Sequence, residues 1–286
     1  MSQNITSQLH FLSRPAGRLA YTVDGVGPLV VAVPGMGDLR DSYRELVGPL
    51  LGAGFRVAVM DLRGHGDSDT TFREHGDVVT ADDMLALIDE LGGPAVIVGN
   101  SMAGSAAVIA AAKRPDAVAG LVLLSPFLRE FFSRGAMATT RLMYRVLFAR
   151  PWGATMWANY YGKTLNRGTA ASWLPEHVAA IRSSMREPGR LRSFRELTLQ
   201  LDHSAVEPLV AAVHAPALVV VGDSDPDYKD PAAELVAMGE SLGAQTLLVE
   251  RAAHYPHAQR ADLVVPRILA FVEELRGGSG WRAPRA

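Results

Sequence analysis

The stretch VIVGNSMAGSAAV, residues 96–108, contains the change from strand to helix that decides the fold. It begins as an apolar, β-branched run, presents one serine, Ser101, and continues as the small residues typical of a helix packed closely on a sheet. Gly99 and Ala103, two positions on either side of the serine, permit a tight turn that lifts its side chain above the sheet. The stretch therefore predicts an accessible serine where a buried strand gives way to a helix.

Apolar runs of the same kind recur along the chain and alternate with helical patterns. Strands are predicted at 29–33, in the run ending at Met60, and within PAVIVG (94–99), VAGLVLLSP (118–126), APALVVVGDSD (215–225) and QTLLVE (245–250). Helices are predicted at 41–51, 80–91, after Ser101, near 230–241 and at 261–275. Nearly uninterrupted apolar strands alternating with helices are typical of a mostly parallel sheet covered on both faces, an α/β fold.

The alternation stops between residues 127 and 207, where the pattern becomes helical and rich in aromatic residues and methionine. This segment holds three of the four tryptophans. Its large side chains include Met137, Met143, Trp152, Met156, Trp157, Tyr160, Tyr161, Trp173 and Met185. We interpret 127–207 as a helical cap inserted into a core formed by 1–126 and 208–276, and we expect residues 277–286 to be a disordered tail.

Composition excludes several classes of function. The chain has 286 residues, a formal charge of -2 and scattered Lys and Arg, which argues against nucleic acid as a partner. It has no cysteine, which excludes disulfides, thiolate metal sites and a cysteine nucleophile. Neither a signal peptide nor a membrane-spanning segment is recognisable, so we expect a cytoplasmic protein. The oligomeric state cannot be inferred from these features.

A serine hydroxyl is a poor nucleophile at neutral pH, so a catalytic serine needs an adjacent base and donors for the oxyanion that forms. The backbone N–H of Met102 lies at the predicted start of a helix, where negative charge is favoured. A second donor is expected from a loop after an earlier strand, and VVAVPGMGD (30–38) offers the N–H of Met36. The alternative is that Ser101 is only a helix N-cap and the 34–37 loop only a glycine turn.

The base is expected in a loop that follows one of the last strands. LLVERAAHYPHAQRAD (247–262) provides His254, which follows the strand closely, and His257, which lies nearer the final helix, so His254 is the better candidate. A metal site at this pair is not expected, because the chain has no Cys and no HExxH motif. The acid that orients the histidine can come from Asp223, Asp225 or Asp227, directly after another strand.

These residues occur in the order serine, aspartate, histidine, which differs from chymotrypsin-like and subtilisin-like enzymes. On these motifs the chain resembles the α/β-hydrolase fold family over nearly its whole length. The resemblance implies Ser101 as nucleophile, Asp225 in GDSD as the acid and His254 in AAHYPH as the base. It also implies that the N–H groups of Met36 and Met102 form the oxyanion hole.

Three positions depart from the family pattern. Ala103 replaces the last glycine of G-x-S-x-G, Pro34 replaces the histidine common in the oxyanion loop, and Ala253 replaces the glycine usual before the base. None of these changes removes a reacting group.

The segment DLRGHGDSD, residues 61–69, resembles a D-x-R-G-x-G-x-S segment shared by many members of the family. We interpret its Asp61, Arg63 and His65 as structural residues that shape a loop near the site.

The function expected from the resemblance is hydrolysis of a small, largely apolar ester through an acyl-enzyme, without cofactor or metal. A serine at this position argues against dehalogenase and epoxide hydrolase chemistry, which use a carboxylate nucleophile. Cleavage of a carbon–carbon bond, a lactone or an amide, and perhydrolysis, use the same serine arrangement and stay open. A small-molecule receptor of the same fold, with little turnover, is the alternative from another class.

Overall fold

The fold is built on a single sheet. The computed structural model describes residues 8–130, 134–278 and 281. Within them the sheet has eight strands in the order β1-β2-β4-β3-β5-β6-β7-β8. The strands are β1 (Leu9–Arg14), β2 (Gly17–Asp24), β3 (Leu29–Val33), β4 (Arg56–Met60), β5 (Ala95–Asn100), β6 (Val118–Leu124), β7 (Ala217–Gly222) and β8 (Gln245–Val249).

Most neighbouring strands run parallel. β1 pairs antiparallel with β2, and β2 with β4, whereas the pairs from β4 to β8 are all parallel. In the centre, Ile97 of β5 is in register with Val31 of β3 and Leu121 of β6. Parallel strands end at one edge of a sheet, so this topology brings the loops after β3, β5, β7 and β8 together.

Helices cover both faces of the sheet, which explains why the central strands have no exposed positions. Every residue of β3, β5 and β7 is buried. Alternate residues of each strand enter opposite cores: Val31 and Ile97 pack with α2 (Asp77–Leu91) and α3 (Met102–Lys113), whereas Val30 and Val96 pack with α1 (Arg44–Gly52) and the C-terminal helix. The predicted α/β architecture is confirmed.

Among the described residues, four α-helices interrupt the α/β pattern between β6 and β7, where the sequence predicted a cap. They are α4 (Arg134–Leu147), α5 (Gly153–Tyr160), α6 (Leu174–Arg186) and α7 (Arg190–Gln200). Shorter π- and 3-10-helical segments lie at Tyr161–Leu165, His203–Ala205 and Glu207–Ala212. Three further helices follow β7, namely α8 (Pro231–Leu242), α9 (Pro256–Gln259) and α10 (Ala261–Gly278). The boundaries at 127 and 207, and the division into two domains, stay predictions, and we call residues 127–207 the cap.

A third apolar cluster consists mainly of cap residues and also includes residues that follow β8. Trp157, Tyr161 and Phe194 are buried in it, and Tyr255 and Ala258 pack against them from the loop and helix after β8. The aromatic residues noted in the sequence therefore join the cap to the region that contains the predicted base.

The prediction that residues 277–286 form a disordered tail is wrong for part of this segment. Helix α10 continues through Gly277 to Gly278, and Trp281 is only 2% exposed. The Trp281 ring stacks on Phe55 with centroids 5.5 Å apart, and its Nε1 donates to the Pro94 carbonyl over 3.1 Å. The indole thus buries a large apolar area on the sheet domain, which the polar composition around it did not predict. Residues 279, 280 and 282–286 lie outside the described residues.

The longest described helix, α10, has 18 residues and carries charged side chains along its length. No helix within the described ranges combines the length and the apolar character that crossing a bilayer requires.

Candidate active site

Ser101 lies at the turn between β5 and α3. Its φ of +56° places it in the left-handed region, where a residue other than glycine is strained. A Cβ on Gly99 would lie 2.5 Å from the Ala103 carbonyl oxygen, so only glycine fits there. Ala103 itself is fully buried, and its methyl group is accommodated. The sharp turn predicted from the sequence is present, and the replacement of glycine by Ala103 does not disturb it.

The loop after β3 lies directly against this turn. A Cβ on Gly35 would lie 3.0 Å from the Ser101 Cβ and 2.9 Å from the Asn100 Oδ1, so the close approach requires glycine. The residues on either side of the contact, Met36 and Met102, line the same cavity as Ser101. The structure therefore brings together the two backbone segments in which the oxyanion donors were predicted.

His254 and Asp225 form a buried hydrogen-bonded pair. The His254 Nδ1 lies 2.9 Å from Oδ2 and 3.1 Å from Oδ1 of Asp225. The backbone of His254 is also held: its N–H donates to the Leu165 carbonyl of the cap, and its carbonyl accepts from the Asn100 side chain beside Ser101, each over 3.0 Å. His254 and Ser101 line one cavity. The predicted nucleophile, base and acid thus converge from three loops.

The electrostatics favour a cationic imidazole. Burial lowers the pKa of His254, but the carboxylates of Asp225 and Asp227 outweigh it and raise the pKa to about 9. Burial raises the pKa of Asp225, yet the charge and hydrogen bond of His254 and the Asp227 N–H hold it below its usual value. The pair therefore stabilises positive charge on the ring.

The two other aspartates that the sequence left open occupy different positions. Asp223 is exposed and accepts from the Ser224 hydroxyl. Asp227 lines the cavity, and its Oδ2 lies 3.4 Å from the His254 Nδ1, so it is a second carboxylate near the base. Within the described ranges, the set of side chains with metal-ligand spacing is Asp225, Asp227 and His254, whose ligand atoms lie within 4.8 Å of one another. The Asp225 contact already engages the His254 Nδ1.

The alternative base, His257, does not belong to the site. It is buried and stacks on Tyr43 with ring centroids 4.9 Å apart. Burial lowers its pKa to about 4, so its ring is neutral. Neither ring nitrogen has a hydrogen-bond partner among the residues that the structure describes. His254 therefore stays the candidate base.

Residues of the 61–69 segment contact the loop at residues 34–38, in which one oxyanion donor is predicted. His65 Nε2 accepts a hydrogen bond from the Gly37 N–H over 3.0 Å, while its Nδ1 lies 2.9 Å from the Arg63 carbonyl. Burial lowers the pKa of His65 to about 4, which keeps the ring neutral and Nε2 able to accept. Arg63 forms an ion pair with Asp83, and Asp61 accepts from the Arg40 and Asp67 N–H groups. These contacts are structural, as predicted.

Cap residues that the sequence did not indicate as contacts also bind the loop at residues 34–38. The Trp157 Nε1 donates to the Gly37 carbonyl over 2.8 Å. The His177 Nε2 lies 2.6 Å from the Asp38 Oδ1, and both side chains are fully buried. Each contact spans more than a hundred residues of chain, so no local pattern could have revealed it.

A cavity of about 470 Å³ lies between the cap and the loops at the sheet edge. Most of its lining is apolar, and the cap residues Met143, Met156, Trp157 and Tyr160 contribute to it. Trp152, by contrast, is 49% exposed outside it. A polar part of the wall, formed by Glu130, Thr140, Arg141, Thr198 and His203, was not predicted.

Comparison with known proteins decides the family. The model of the alpha/beta hydrolase family matches residues 30–267. The chain belongs to this family. The matched range contains Ser101, Asp225 and His254. Relatives of the chain are named hydrolases and esterases, and this α/β hydrolase is an enzyme of the hydrolase class.

Two curated relatives match over most of their length. One is a 2-hydroxy-6-oxononadienedioate/2-hydroxy-6-oxononatrienedioate hydrolase of Comamonas testosteroni, 28% identical over 236 residues, which are 80% of this chain and 80% of the relative. The other is a pimeloyl-[acyl-carrier protein] methyl ester esterase of Neisseria meningitidis, 27% identical over 258 residues, which are 85% of this chain and 92% of the relative.

Among solved structures, a thermophilic esterase from Thermogutta terrifontis superposes on this α/β hydrolase with a TM-score of 0.78 and 26% identity. The match covers 94% of this chain and 99% of the esterase. The similarity thus includes the cap as well as the sheet.

Proposed function

We propose that this α/β hydrolase is a serine carboxylesterase that uses Ser101 as nucleophile, His254 as general base and acid, and Asp225 to orient the histidine. One observation carries the proposal: Ser101, at positive φ on its turn, lines the same cavity as a histidine whose Nδ1 is held by a buried aspartate. The esterases among the similar proteins support ester hydrolysis.

In the first half-reaction the Ser101 Oγ attacks the ester carbonyl carbon while the His254 Nε2 accepts the hydroxyl proton. The oxyanion accepts hydrogen bonds from the N–H groups of Met36 and Met102, and Asp225 stabilises the imidazolium. Collapse of the tetrahedral intermediate breaks the bond to the alkoxy oxygen, which leaves as an alcohol with the proton from His254. An acyl group then remains on Ser101.

In the second half-reaction water attacks the acyl carbon and gives a proton to His254. The intermediate collapses, the Ser101 oxygen takes that proton, and the carboxylic acid is released. The raised pKa of His254 has a consequence for both halves: the base must lose a proton before it can act, so turnover increases with pH.

The cavity supports a small substrate with a largely apolar portion. Its cap wall includes Met143, Phe148 and Trp157, side chains that exclude water and favour apolar groups. We assign residues 127–207 to a cap that covers the site and 1–126 with 208–276 to the catalytic core.

Carbon–carbon bond hydrolysis is the second candidate, because the Comamonas testosteroni relative is named for a dienedioate or trienedioate substrate. The same serine and histidine can serve that reaction, with a carbon acid rather than an alcohol as the leaving group. Lactone opening and perhydrolysis need no other residues and stay alternatives.

The test compares Ser101→Ala with the parent on p-nitrophenyl butyrate, on a lactone and on a diketone, and labels both proteins with a fluorophosphonate. We expect the variant to lose turnover and labelling together. Ser42→Ala is the control, because it removes another buried hydroxyl, outside the cavity, and should keep both. Turnover of Ser101→Ala at the parental rate would falsify the proposal, and exclusive turnover of the diketone would favour the second candidate.

A further inference from the structure

A second Asp–His pair faces the cavity. The His203 Nδ1 lies 2.7 Å from the Asp77 Oδ2, and the Asp77 side chain is completely buried. Because Asp77 engages Nδ1, Nε2 is the ring nitrogen left for a ligand. His203 also stacks on Phe127, at 4.7 Å between centroids, and His254 lies 6.0 Å from the same ring. The two imidazoles therefore border one continuous space.

An arginine without a direct ion-pair partner among the described residues lies in the same wall. Arg141, on α4, lines the cavity, and its Nε is buried without a hydrogen-bond partner. Within the part of the chain that the structure describes, no carboxylate lies within 4.0 Å of its guanidinium. A buried guanidinium N–H that lacks an acceptor is costly, so a ligand that supplies one is favoured.

The carboxylates nearby are already engaged or do not line the cavity. Asp227, which does line it, lies 3.4 Å from the His254 Nδ1 and accepts from the Tyr160 hydroxyl. The negative charge of Asp202 interacts with Arg141. The Glu130 Oε2 accepts from the His203 N–H over 3.1 Å, and Asp77 is held by the imidazole. Asp202 does not line the cavity, and its carboxylate accepts from the Ser204 N–H. The groups left to meet a ligand are thus mainly donors: the guanidinium, the imidazole edge and the Thr140 hydroxyl, whereas the Thr198 hydroxyl already donates to the Arg195 carbonyl.

We propose that Arg141 and His203 form a carboxylate-binding subsite, and that preferred substrates are esters whose acyl chain ends in a carboxylate, that is, monoesters of dicarboxylic acids. A guanidinium matches a carboxylate with two parallel hydrogen bonds. His203, in the cationic form whose Nδ1–H is held by Asp77, adds a third from its Nε2–H. Phe127 and Leu147 line the cavity with these groups and provide apolar contacts for the methylene chain. This inference rests on the proposed attack of Ser101 on the ester carbonyl.

The first experiment measures kcat/KM on a pair of matched esters. Mono-p-nitrophenyl adipate ends in a carboxylate, and p-nitrophenyl 6-methylheptanoate has the same number of methylene groups and ends in an isopropyl group of the same shape. We expect the wild-type enzyme to prefer the adipate about tenfold, because charge-assisted hydrogen bonds contribute that much in a buried site. The suberate half-ester and its neutral counterpart repeat the comparison with a longer chain.

Variants then assign the preference to the subsite. Arg141→Met should abolish it by raising KM for the half-esters, while hydrolysis of the neutral esters stays within about twofold. Arg145→Met is the matched control, since Arg145 is exposed on the same helix and does not line the cavity. His203→Gln should lower the preference by about threefold. Equal rates on both esters of each pair, or a preference retained in Arg141→Met, would overturn the inference.

A binding measurement separates this inference from the proposed function. Titration calorimetry with monomethyl adipate compares Ser101→Ala with Ser101→Ala/Arg141→Met, so that no turnover is needed. We expect binding about tenfold weaker in the double variant. If the wild-type enzyme hydrolyses none of the esters but the two variants differ in affinity in this way, the esterase proposal is rejected and the subsite is retained. Equal affinities of the two variants would reject the subsite alone.

Discussion

Two Asp–His pairs line one cavity, at the catalytic loops and at the polar wall, and their geometries are nearly the same. The Nδ1–Oδ2 distance is 2.9 Å between His254 and Asp225 and 2.7 Å between His203 and Asp77. Both imidazoles are buried. What distinguishes them is position: the backbone of His254 is tied to the turn that presents Ser101. In the proposed mechanism an Asp–His pair therefore acts as a base because of its neighbour Ser101, not because of its own hydrogen bond.

The two pairs differ more in the pKa of the carboxylate than in the Nδ1–Oδ2 distance. Burial raises the pKa of both, but the pKa of Asp225 falls below its usual value because of the His254 charge and the hydrogen bonds that it accepts. The pKa of Asp77 stays raised, since Asp202 and Glu130 add negative charge around it. The Asp225–His254 pair is therefore the more strongly organised of the two to stabilise a cation.

The largest expected effect separates the two histidines. His254→Ala should lower kcat on p-nitrophenyl butyrate by about 10⁶-fold, because the nucleophile loses its base. His203→Ala should leave kcat on this neutral ester within about threefold. Steady-state kinetics on both variants check this, with circular dichroism to show that each is folded. A loss of similar size in both would remove the distinction between the pairs.

Substitutions of Asp225 and Asp77 should show the same contrast as those of the two histidines, with a smaller loss of kcat. Asp225→Asn should lower kcat by about 10⁴-fold, because an amide does not stabilise the imidazolium and favours the wrong tautomer. Asp77→Asn should change kcat on neutral esters by less than about threefold. The same assay decides, and a large decrease in the Asp77 variant alone would reverse the assignment.

The contact of the cap residue Trp157 with the loop at residues 34–38 predicts an intermediate effect on kcat. A Cβ on Gly37, which has φ of +72°, would lie 2.3 Å from the Trp157 ring, so Gly37→Ala must displace the loop. We expect kcat to fall about 100-fold with little change in KM, because an oxyanion donor moves.

Gly243→Ala is the control for the change at Gly37. Gly243 also has positive φ, +58°, but a Cβ there would have no atom within 4 Å. It should therefore lose stability in thermal unfolding without losing kcat. Equal kcat values for the two alanine variants would show that the loop contact does not matter for turnover.

The smallest effect concerns the second carboxylate at the catalytic end. Burial lowers the pKa of His254, whereas Asp225 and Asp227 raise it to about 9, so kcat/KM should decrease as pH falls through that value and the base becomes protonated. Asp227→Asn removes one negative charge, which lowers the pKa and moves this limb of the pH profile to lower pH by about one unit.

Asp223→Asn provides the matched control on the same loop, because Asp223 is exposed and its carboxylate accepts from Ser224. Its pH profile should follow the wild-type profile. A limb that does not move in Asp227→Asn would mean that Asp225 alone sets the basicity of His254.

Much of the catalytic end could be predicted because it depends on local patterns. The turn at Ser101 needs small neighbours, and the base and acid follow apolar strands whose ends meet at one edge of a parallel sheet. Asp225 could be chosen over Asp223 and Asp227 only from the family resemblance, since all three share that loop.

The polar wall of the cavity had no such signal. Arg141 lies on a helix with several other arginines, and His203 is a lone histidine far along the chain from Asp77. The contact of Trp157 with Gly37, and the burial of Trp281 in a tail expected to be disordered, are equally non-local. Such contacts follow from how helices pack, which short sequence patterns do not encode.

The sequence by itself determined the α/β core, the insertion after β6 and the candidates for nucleophile, base and acid, because period-two and helical patterning and turn chemistry act over a few residues. Only the tertiary structure decided which cap side chains line the cavity, which Asp–His pair lies beside Ser101, and how the cap holds the oxyanion loop. Those features depend on side chains brought together across more than a hundred residues, and the packing of whole helices on the sheet sets their positions.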